Sequence, residues 1–300
     1  MTIPLIECTA SFSEGQRKDV VEALTNPFRD TPGCHLFDQR TDEVQNRLTV
    51  CLAGRPEPIR DALMTAARIA LETIDMNNHN GSQPGIGAVD LVAFSPVKNI
   101  TEAALTTLAR DFGRRLYHET EIPAYFFGSA AIRHERRCPG RLRRGGYDLL
   151  KIEVSVPERQ PDIGEPRLHP TAGAAAIGAG KPPVGIHITL RTADRSAAER
   201  ILAAVSGPAG GLCHVEGEVR APEEKGMVQL RLTVADTDAN PLYRVTEIIR
   251  MEARRWGIDV AETDIPGMVP AGALIQSAAY YLQASGFDLD RVLELRLLAA

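Results

Sequence analysis

Apolar residues recur along the chain with two periods, one near two and one near 3.6, and the exchange between them lays out its elements. Leu5-Ile6-Glu7-Cys8 reads as a short strand, and Ser13-Glu14-Gly15 opens a helix through Val20-Val21-Glu22-Ala23-Leu24. His35-Leu36-Phe37-Asp38 and Asn46 to Ala53 read as two strands with a polar connection between them, the second alternating apolar and polar positions as a half-buried strand does. From Pro58 to Ile74 the apolar residues Ile59, Leu63, Ala66, Ala67, Ala70 and Ile74 fall at helical spacing, with a proline suited to the first turn. Strand Leu91–Phe94, a helix from Thr101 through Leu116, and strand Ala124–Phe127 complete a β-α-β-β-α-β-α-β series. That series predicts an α+β unit, one mixed sheet with helices on one face.

The second half repeats the scheme more compactly. Val184–Leu190 is a strand, Ser196–Val205 a helix, Leu212–Val219 and Met227–Val234 a β-pair, and Pro241–Trp256 a helix with Leu242, Val245, Ile248, Ile249 and Ala253 on one face. Asp259–Thr263 closes the sheet and Ala271–Leu282 is a last helix. This β-α-β-β-α-β run is the split ferredoxin-like arrangement. Between the halves, Pro157 to Pro183 is rich in Pro, Gly and Ala, lacks periodicity, and reads as a linker or a ligand-lining loop.

Composition changes this picture little. Three hundred residues with 44% hydrophobic and 24% charged positions are ordinary for a globular protein of one large or two medium domains. A formal charge of −5 offers no electrostatic reason to expect nucleic acid. No apolar run approaches the roughly 20 residues of a membrane helix, and the N-terminus lacks the pattern of a signal peptide, so a cytoplasmic protein is expected. Cys8, Cys34, Cys51, Cys138 and Cys213 are widely spaced without a Cys-x-x-Cys pair and read as reduced and inert. The seven histidines form no metal-ligand spacing, so no metal is expected.

The densest chemistry lies between Ile74 and Asp90, a helix end, a Gly/Pro/Asn-rich loop and the start of a strand. Such loops commonly display binding and catalytic groups. This one presents His79, Ser82, Gln83 and Asp90, with glycines that let backbone approach a ligand.

Segments spread over nearly the whole chain resemble the glutamate formiminotransferase (formiminotransferase domain) family. Ile6 to Gly15 is similar to its opening Glu-Cys-Val-Pro-Asn-Phe-Ser-Glu-Gly, and Asn46-Arg47-Leu48-Thr49-Val50 to its Asn-Arg-Thr-Val strand. Ile74-Asp75-Met76, His79, Gly81, Pro84, Gly87-Ala88 and Asp90 follow its loop Ile-Asp-Met-x-x-His-x-Gly-x-His-Pro-Arg-x-Gly-Ala-x-Asp. Pro161–Gly164, Pro170, Gly173-Ala174 and Gly178-Ala179 resemble a later Pro-Asp-Phe-Gly…Gly-Ala segment, and Gly267–Pro270 its Gly-Leu-Val-Pro. The resemblance implies two ferredoxin-like α/β subdomains, 1–180 and 181–300, each a mixed or antiparallel sheet with helices on one face. It further implies a ligand tunnel between them and a homodimer, to which Trp256 and the Tyr280-Tyr281 helix add apolar surface.

The implied ligand is tetrahydrofolate or a related reduced pterin, acting as substrate beside an amino-acid-like one-carbon donor or acceptor. Its expected lining is Gly164, Glu165, Pro166, Arg167, Leu168, His169, Pro170, Thr171, Ala172 and Gly173. Arg40, Asn46, Arg47 and His187 are further pocket candidates. Backbone groups of a Gly/Pro loop can read a flat pterin while apolar walls cover its faces.

The chain departs from the family at reactive positions. Gln83 stands where the family has its proton-shuttling histidine, Gly85 where it has an arginine, Arg40 at the second acidic position of its Asp-x-Asp, and Gly180 at the arginine of Gly-Ala-Arg. Glutamine orients by hydrogen bonds but does not exchange protons near neutral pH. The catalytic candidates are therefore Gln83 and His79, the latter reading either as a shuttle or as a helix-end histidine satisfying carbonyls. The arginines between Arg133 and Arg144 read as a solvated loop or as a clamp for carboxylates. The expected function is a folate-dependent one-carbon transferase with altered substrate or mechanism. Its alternatives are a catalytically silent folate-binding homologue serving another one-carbon enzyme, and a tunnel reused for a different small molecule.

Overall fold

The computed structural model describes residues 3–82, 85–137, 142–206, 211–220 and 226–299. The chain divides into two compact units, Met1–Gly180 and Lys181–Ala300.

In the first unit, strands β1 (Leu5–Phe12), β2 (Cys34–Asp42), β3 (Arg47–Gly54), β4 (Val89–Lys98), β5 (Ala124–Gly128) and β6 (Ala175–Ala179) form one six-stranded sheet ordered β2-β3-β1-β4-β6-β5. The four strands β2-β3-β1-β4 pair antiparallel, which is the ferredoxin-like order, and β6 and β5 extend it with parallel pairs. Alternation along β1 sends Ile6, Cys8, Ala10 and Phe12 to one face, where no side chain is exposed. Helices α1 (Lys18–Asp30), α2 (Pro56–Thr73) and α3 (Glu102–Thr120) cover that face through Leu24, Phe28, Ile59, Leu63, Leu105, Phe112 and Leu116. Local signals start and stop them: Pro56 opens α2, the Thr101 hydroxyl accepts from Ala104 N–H at the head of α3, and Glu121 closes α3 in a left-handed conformation. The opposite face is apolar only toward β4, β6 and β5, where Ala93, Ala176, Tyr125 and Phe127 pack with Leu150 of a short helix α4 (Gly146–Glu153).

The second unit holds β7 (Val184–Leu190), β8 (Val215–Arg220), β9 (Val228–Val234) and β10 (Val260–Asp264) in the antiparallel order β10-β7-β9-β8. Helices α5 (Arg195–Val205) and α6 (Leu242–Arg255) bury Ile201, Val205, Val245 and Ile249 against Ile186, Ile188, Leu230 and Leu232. Helices α7 (Ala271–Tyr281) and α8 (Leu293–Ala299) follow. No helix among the described residues is long and apolar enough to cross a membrane.

Three sequence expectations change. The stretch 157–183 is not all linker or loop, because its Ala175–Ala179 end is the fully buried strand β6 between β4 and β5. A strand buried on both faces carries no alternation to reveal it. Helix α4 was equally unannounced, being too short to show a period. The polar connection after Asp38 is also structured: β2 continues to Asp42, since an edge strand exposes polar groups without cost.

Because Ile177 is fully buried in β6 between Val92 and Phe126 of its neighbours, Ile177→Ala is expected to lower unfolding stability by about 2–5 kcal/mol. Urea denaturation of the purified chain measures it, and a loss under about 1 kcal/mol would contradict a core role for β6.

Candidate functional site

The loop from Ile74 to Asp90 is braced from behind. Met76 N–H donates to Thr171 O (2.8 Å), Ala88 N–H to Ala172 O (2.9 Å), and Ala174 N–H to Ile86 O (2.9 Å). Gly87 faces Gly173 in an isolated bridge, and a Cβ added to Gly87 would lie 2.1 Å from Ala174 O, so only glycine allows this approach. Asn77 and Tyr147 add side-chain ties: Asn77 Nδ2 donates to Pro170 O (2.9 Å) and the Tyr147 hydroxyl to Asn77 Oδ1 (3.1 Å).

At the loop's far end Asp90 is fully buried. Its Oδ1 accepts Ile86 N–H at 2.9 Å, while Oδ2 lies 3.1 Å from Arg47 Nη2 and 2.9 Å from Arg143 Nη2. One carboxylate thus joins the loop, strand β3 and the segment before α4. Two guanidiniums and a backbone N–H repay its desolvation, which a single partner would do poorly.

A second knot forms at the head of β3. Asn46 is buried in a left-handed conformation (φ 49°), which asparagine tolerates, and its Oδ1 accepts Gly15 N–H at 2.8 Å. Its Nδ2 lies 3.4 Å from His79 Nδ1, and the His79 ring also hydrogen-bonds the Ser13 backbone. Burial holds the His79 imidazole below its ordinary 6.5, with Glu14 and Asp90 opposing and Arg47 assisting. Glu14 is itself buried, accepting from Gln16 and Arg17 N–H (2.9 Å each) and pairing with Arg17; although burial works against its charge, these donors hold its carboxyl below the usual range. His79, Asn46, Arg47, Glu14 and Asp90 therefore form one connected polar frame.

Comparison with known proteins assigns this frame. Residues 5–180 match the formiminotransferase domain, N-terminal subdomain, and residues 184–297 match the formiminotransferase domain. A glutamate formimidoyltransferase of Streptococcus pyogenes is 32% identical over 98% of this chain and 99% of its own length. One from Thermoplasma acidophilum is 32% identical over 98% and 97%. The formimidoyltransferase-cyclodeaminase of Gallus gallus is 33% identical over 93% of this chain, which spans 52% of that protein.

The chain belongs to the formiminotransferase domain family.

Within this family member the expected site residues separate into groups. His79, Asn46 and Arg47 come together as described, whereas Gln83 lies outside the described residues. The segment Gly164–Gly173 contributes the brace: Thr171, Ala172 and Gly173 bond the loop directly, and His169 Nδ1 accepts Ala172 N–H at 3.0 Å within its own turn. Glu165 and Arg167 pair with each other on the surface, beside the exposed Gly164 and Pro166, and Leu168 packs against the core. Arg40 stands on β2, paired with Asp38 at 2.8 Å. His187 belongs to the second unit, on β7, with Nδ1 3.9 Å from Asp264 Oδ2 and Arg231 opposite it on β9.

The arginine-rich stretch is neither a plain solvated loop nor a clamp throughout. Arg136 is buried, pairs with Asp162 at 2.8 Å and lies over the Tyr125 ring, while Arg143 serves Asp90. Residues 138–141, with Cys138 and Arg141, lie outside the described residues. Sequence reading missed Glu14 and Arg143 as members of the frame. Glu14 sits in the quoted Ser-Glu-Gly motif, but nothing local marks Arg143 apart from its neighbours. Among the described residues no group of three or more His, Cys, Asp or Glu is placed to hold a metal.

Two measurements check this geometry. Asp90→Ala leaves Arg47 and Arg143 without their counter-charge and is expected to cost up to about 3–5 kcal/mol in urea denaturation; a change under 1 kcal/mol would contradict the frame. His79 should titrate below 6.5 by NMR. Since the unfolded state then binds its proton more readily, its contribution is complete above pH 6.5 and lost as pH falls through that value and below. A His79 midpoint above 6.5 would contradict the burial that sets this sign.

Proposed function

We propose that this chain is a folate-dependent one-carbon transferase of the formimino or formyl type, with chemistry altered from that of formiminoglutamate transfer. The observation that carries the reading is the match of both family subdomains over nearly the full chain, with the His79–Asn46–Arg47–Asp90 frame assembled in the loop they share. The relatives are named for glutamate formimidoyl transfer, which supports a reduced folate as one substrate and an amino-acid-like one-carbon donor or acceptor as the other.

Moving an amidine carbon between two nitrogens requires a group that takes and returns a proton, and an imidazole near its working pKa does this well. Gln83 occupies that family position and cannot. His79 does not replace it readily, because one ring nitrogen faces Asn46 and the ring is bonded to the Ser13 backbone. We read His79 as a positioning residue. Restoring an arginine at Gly85 would also meet resistance, since a Cβ there falls 2.7 Å from Ser13 Oγ. Gln83 equally favours the second reading, a silent folate-binding homologue that serves another one-carbon enzyme.

Calorimetric titration with tetrahydrofolate and its 5-formyl form, beside a steady-state assay with formiminoglutamate, tests these readings. The expected outcome is saturable folate binding with formiminoglutamate turnover about 10²–10⁴ below the usual enzyme range. Absence of binding overturns the folate reading. Turnover at ordinary rates overturns the role given to Gln83, and binding without turnover of any formyl or formimino donor selects the silent homologue.

The same reading takes the protein as a homodimer. Trp256, Leu274, Tyr280, Tyr281 and Leu282 are 44–76% exposed in the single chain, an apolar group suited to a second copy. Sedimentation is expected to give about twice the 32.6 kDa of one chain, and a monomer at micromolar concentration contradicts it.

A further inference from the structure

The polar face of the six-stranded sheet carries a carboxylate that the loop frame does not use. Glu7 projects from β1 between Ile6 and Cys8, away from the face covered by α1, α2 and α3. Its Oε1 accepts the Thr9 hydroxyl at 2.6 Å and the Cys51 thiol at 3.4 Å. Its Oε2 is buried and has no hydrogen-bond partner. Other described residues also hold a buried polar atom without a hydrogen bond, but Asp90, Arg136, Arg143 and Arg159 among them belong to ion pairs. Glu7 is the carboxylate in that set with no cation beside it. Burial accordingly raises its carboxyl, against the hydrogen bonds of Thr9, Ser95 and Cys51.

The surroundings are low and flat. Across the strands Glu7 faces Ala53 on β3 and Ser95 on β4, while Thr9 faces Cys51 and Ala93. Short side chains therefore border the carboxylate on both neighbouring strands, and no donor among them is directed at Oε2. The Cys51 thiol, pushed up to about 12 by burial and by Glu7, stays protonated and is already committed to Oε1. A buried acceptor without a donor is costly in a folded protein and calls for one from elsewhere.

We propose that Glu7 receives the hydrogen-bonding edge of a pterin, its carboxylate accepting the adjacent N3–H and 2-amino N–H of a 2-aminopyrimidin-4-one ring that lies on Ala53, Thr9, Ala93 and Ser95. Two parallel donors match the two oxygens of a carboxylate, the pairing that makes bidentate contacts strong and specific. This assignment rests on the folate reading above and gives it a recognition residue in the first unit, separate from the loop.

The test titrates the full-length protein calorimetrically with 5-formyltetrahydrofolate and with its 2-desamino analogue, then repeats both with Glu7→Gln. Wild type is expected to bind the desamino analogue about 10- to 100-fold more weakly, and Glu7→Gln to lose a similar factor for 5-formyltetrahydrofolate while no longer distinguishing the two ligands. Thermal melting of the variant should stay within a few degrees of wild type, because Glu7 has no cation to abandon. If Glu7→Gln binds 5-formyltetrahydrofolate as wild type does, or still distinguishes the ligands, the proposal is overturned. Equal binding of both ligands by wild type overturns it without recourse to any variant. Absence of heat with wild type and 5-formyltetrahydrofolate defeats the folate reading itself, an outcome distinct from the others.

Discussion

The buried carboxylate of Asp90 is the constraint on which the rest of the site depends. It ends a loop with little regular structure, and a charge in that position must be compensated or the loop unfolds toward water. Arg47 from β3 and Arg143 from the segment before α4 bring that compensation from elements far apart in sequence. Once they are in place, Arg47 fixes its neighbour Asn46. Asn46 in turn fixes Gly15 and His79, and the Ser13-Glu14 turn follows. Positions in the loop are thus set by electrostatics within a dry environment rather than by local conformational preference.

The sheet of each unit divides its labour by face. One face is apolar and lies under helices, which supplies the stability of the unit. The other collects polar and titratable side chains, Glu7, Thr9, Asp38, Arg40 and Cys51 in the first unit, and His187, Thr189, Gln229 and Arg231 in the second. The strict period of two makes this separation possible, because the same strand can build a core and present chemistry without compromise. The neutral thiols Cys8 and Cys51 show how differently the two sides are used: one is packed among Ile6, Ala10 and Leu52, the other hydrogen-bonds Glu7.

Much of the fold was legible in the chain because periodicity reports directly on burial. The alternation of β3 and the 3.6-residue spacing of α2, α3 and α6 required no tertiary knowledge. The ferredoxin-like order of the second unit followed from element sequence alone. Where one-sided burial fails, the signal fails with it. β6 is buried on both faces and α4 is short, so neither produced a pattern. The polar end of β2 looked like a connection because edge strands need no apolar face.

By itself, then, the sequence determined element types, the two-fold repetition of an α/β scheme, membership of the formiminotransferase domain family and the absence of a histidine at position 83. These are properties of spacing and residue identity, which survive without coordinates. Only the tertiary structure decided that Gly164–Gly173 braces the loop through its Thr171–Gly173 end, that Arg136 is buried while Arg143 neutralises Asp90, and that His79 is tied at its ring. It also left Glu7 Oε2 buried without a donor. Ion pairs and hydrogen bonds between residues dozens of positions apart leave no periodic trace, since their energy depends on a distance and a local dielectric that exist only once the chain has folded.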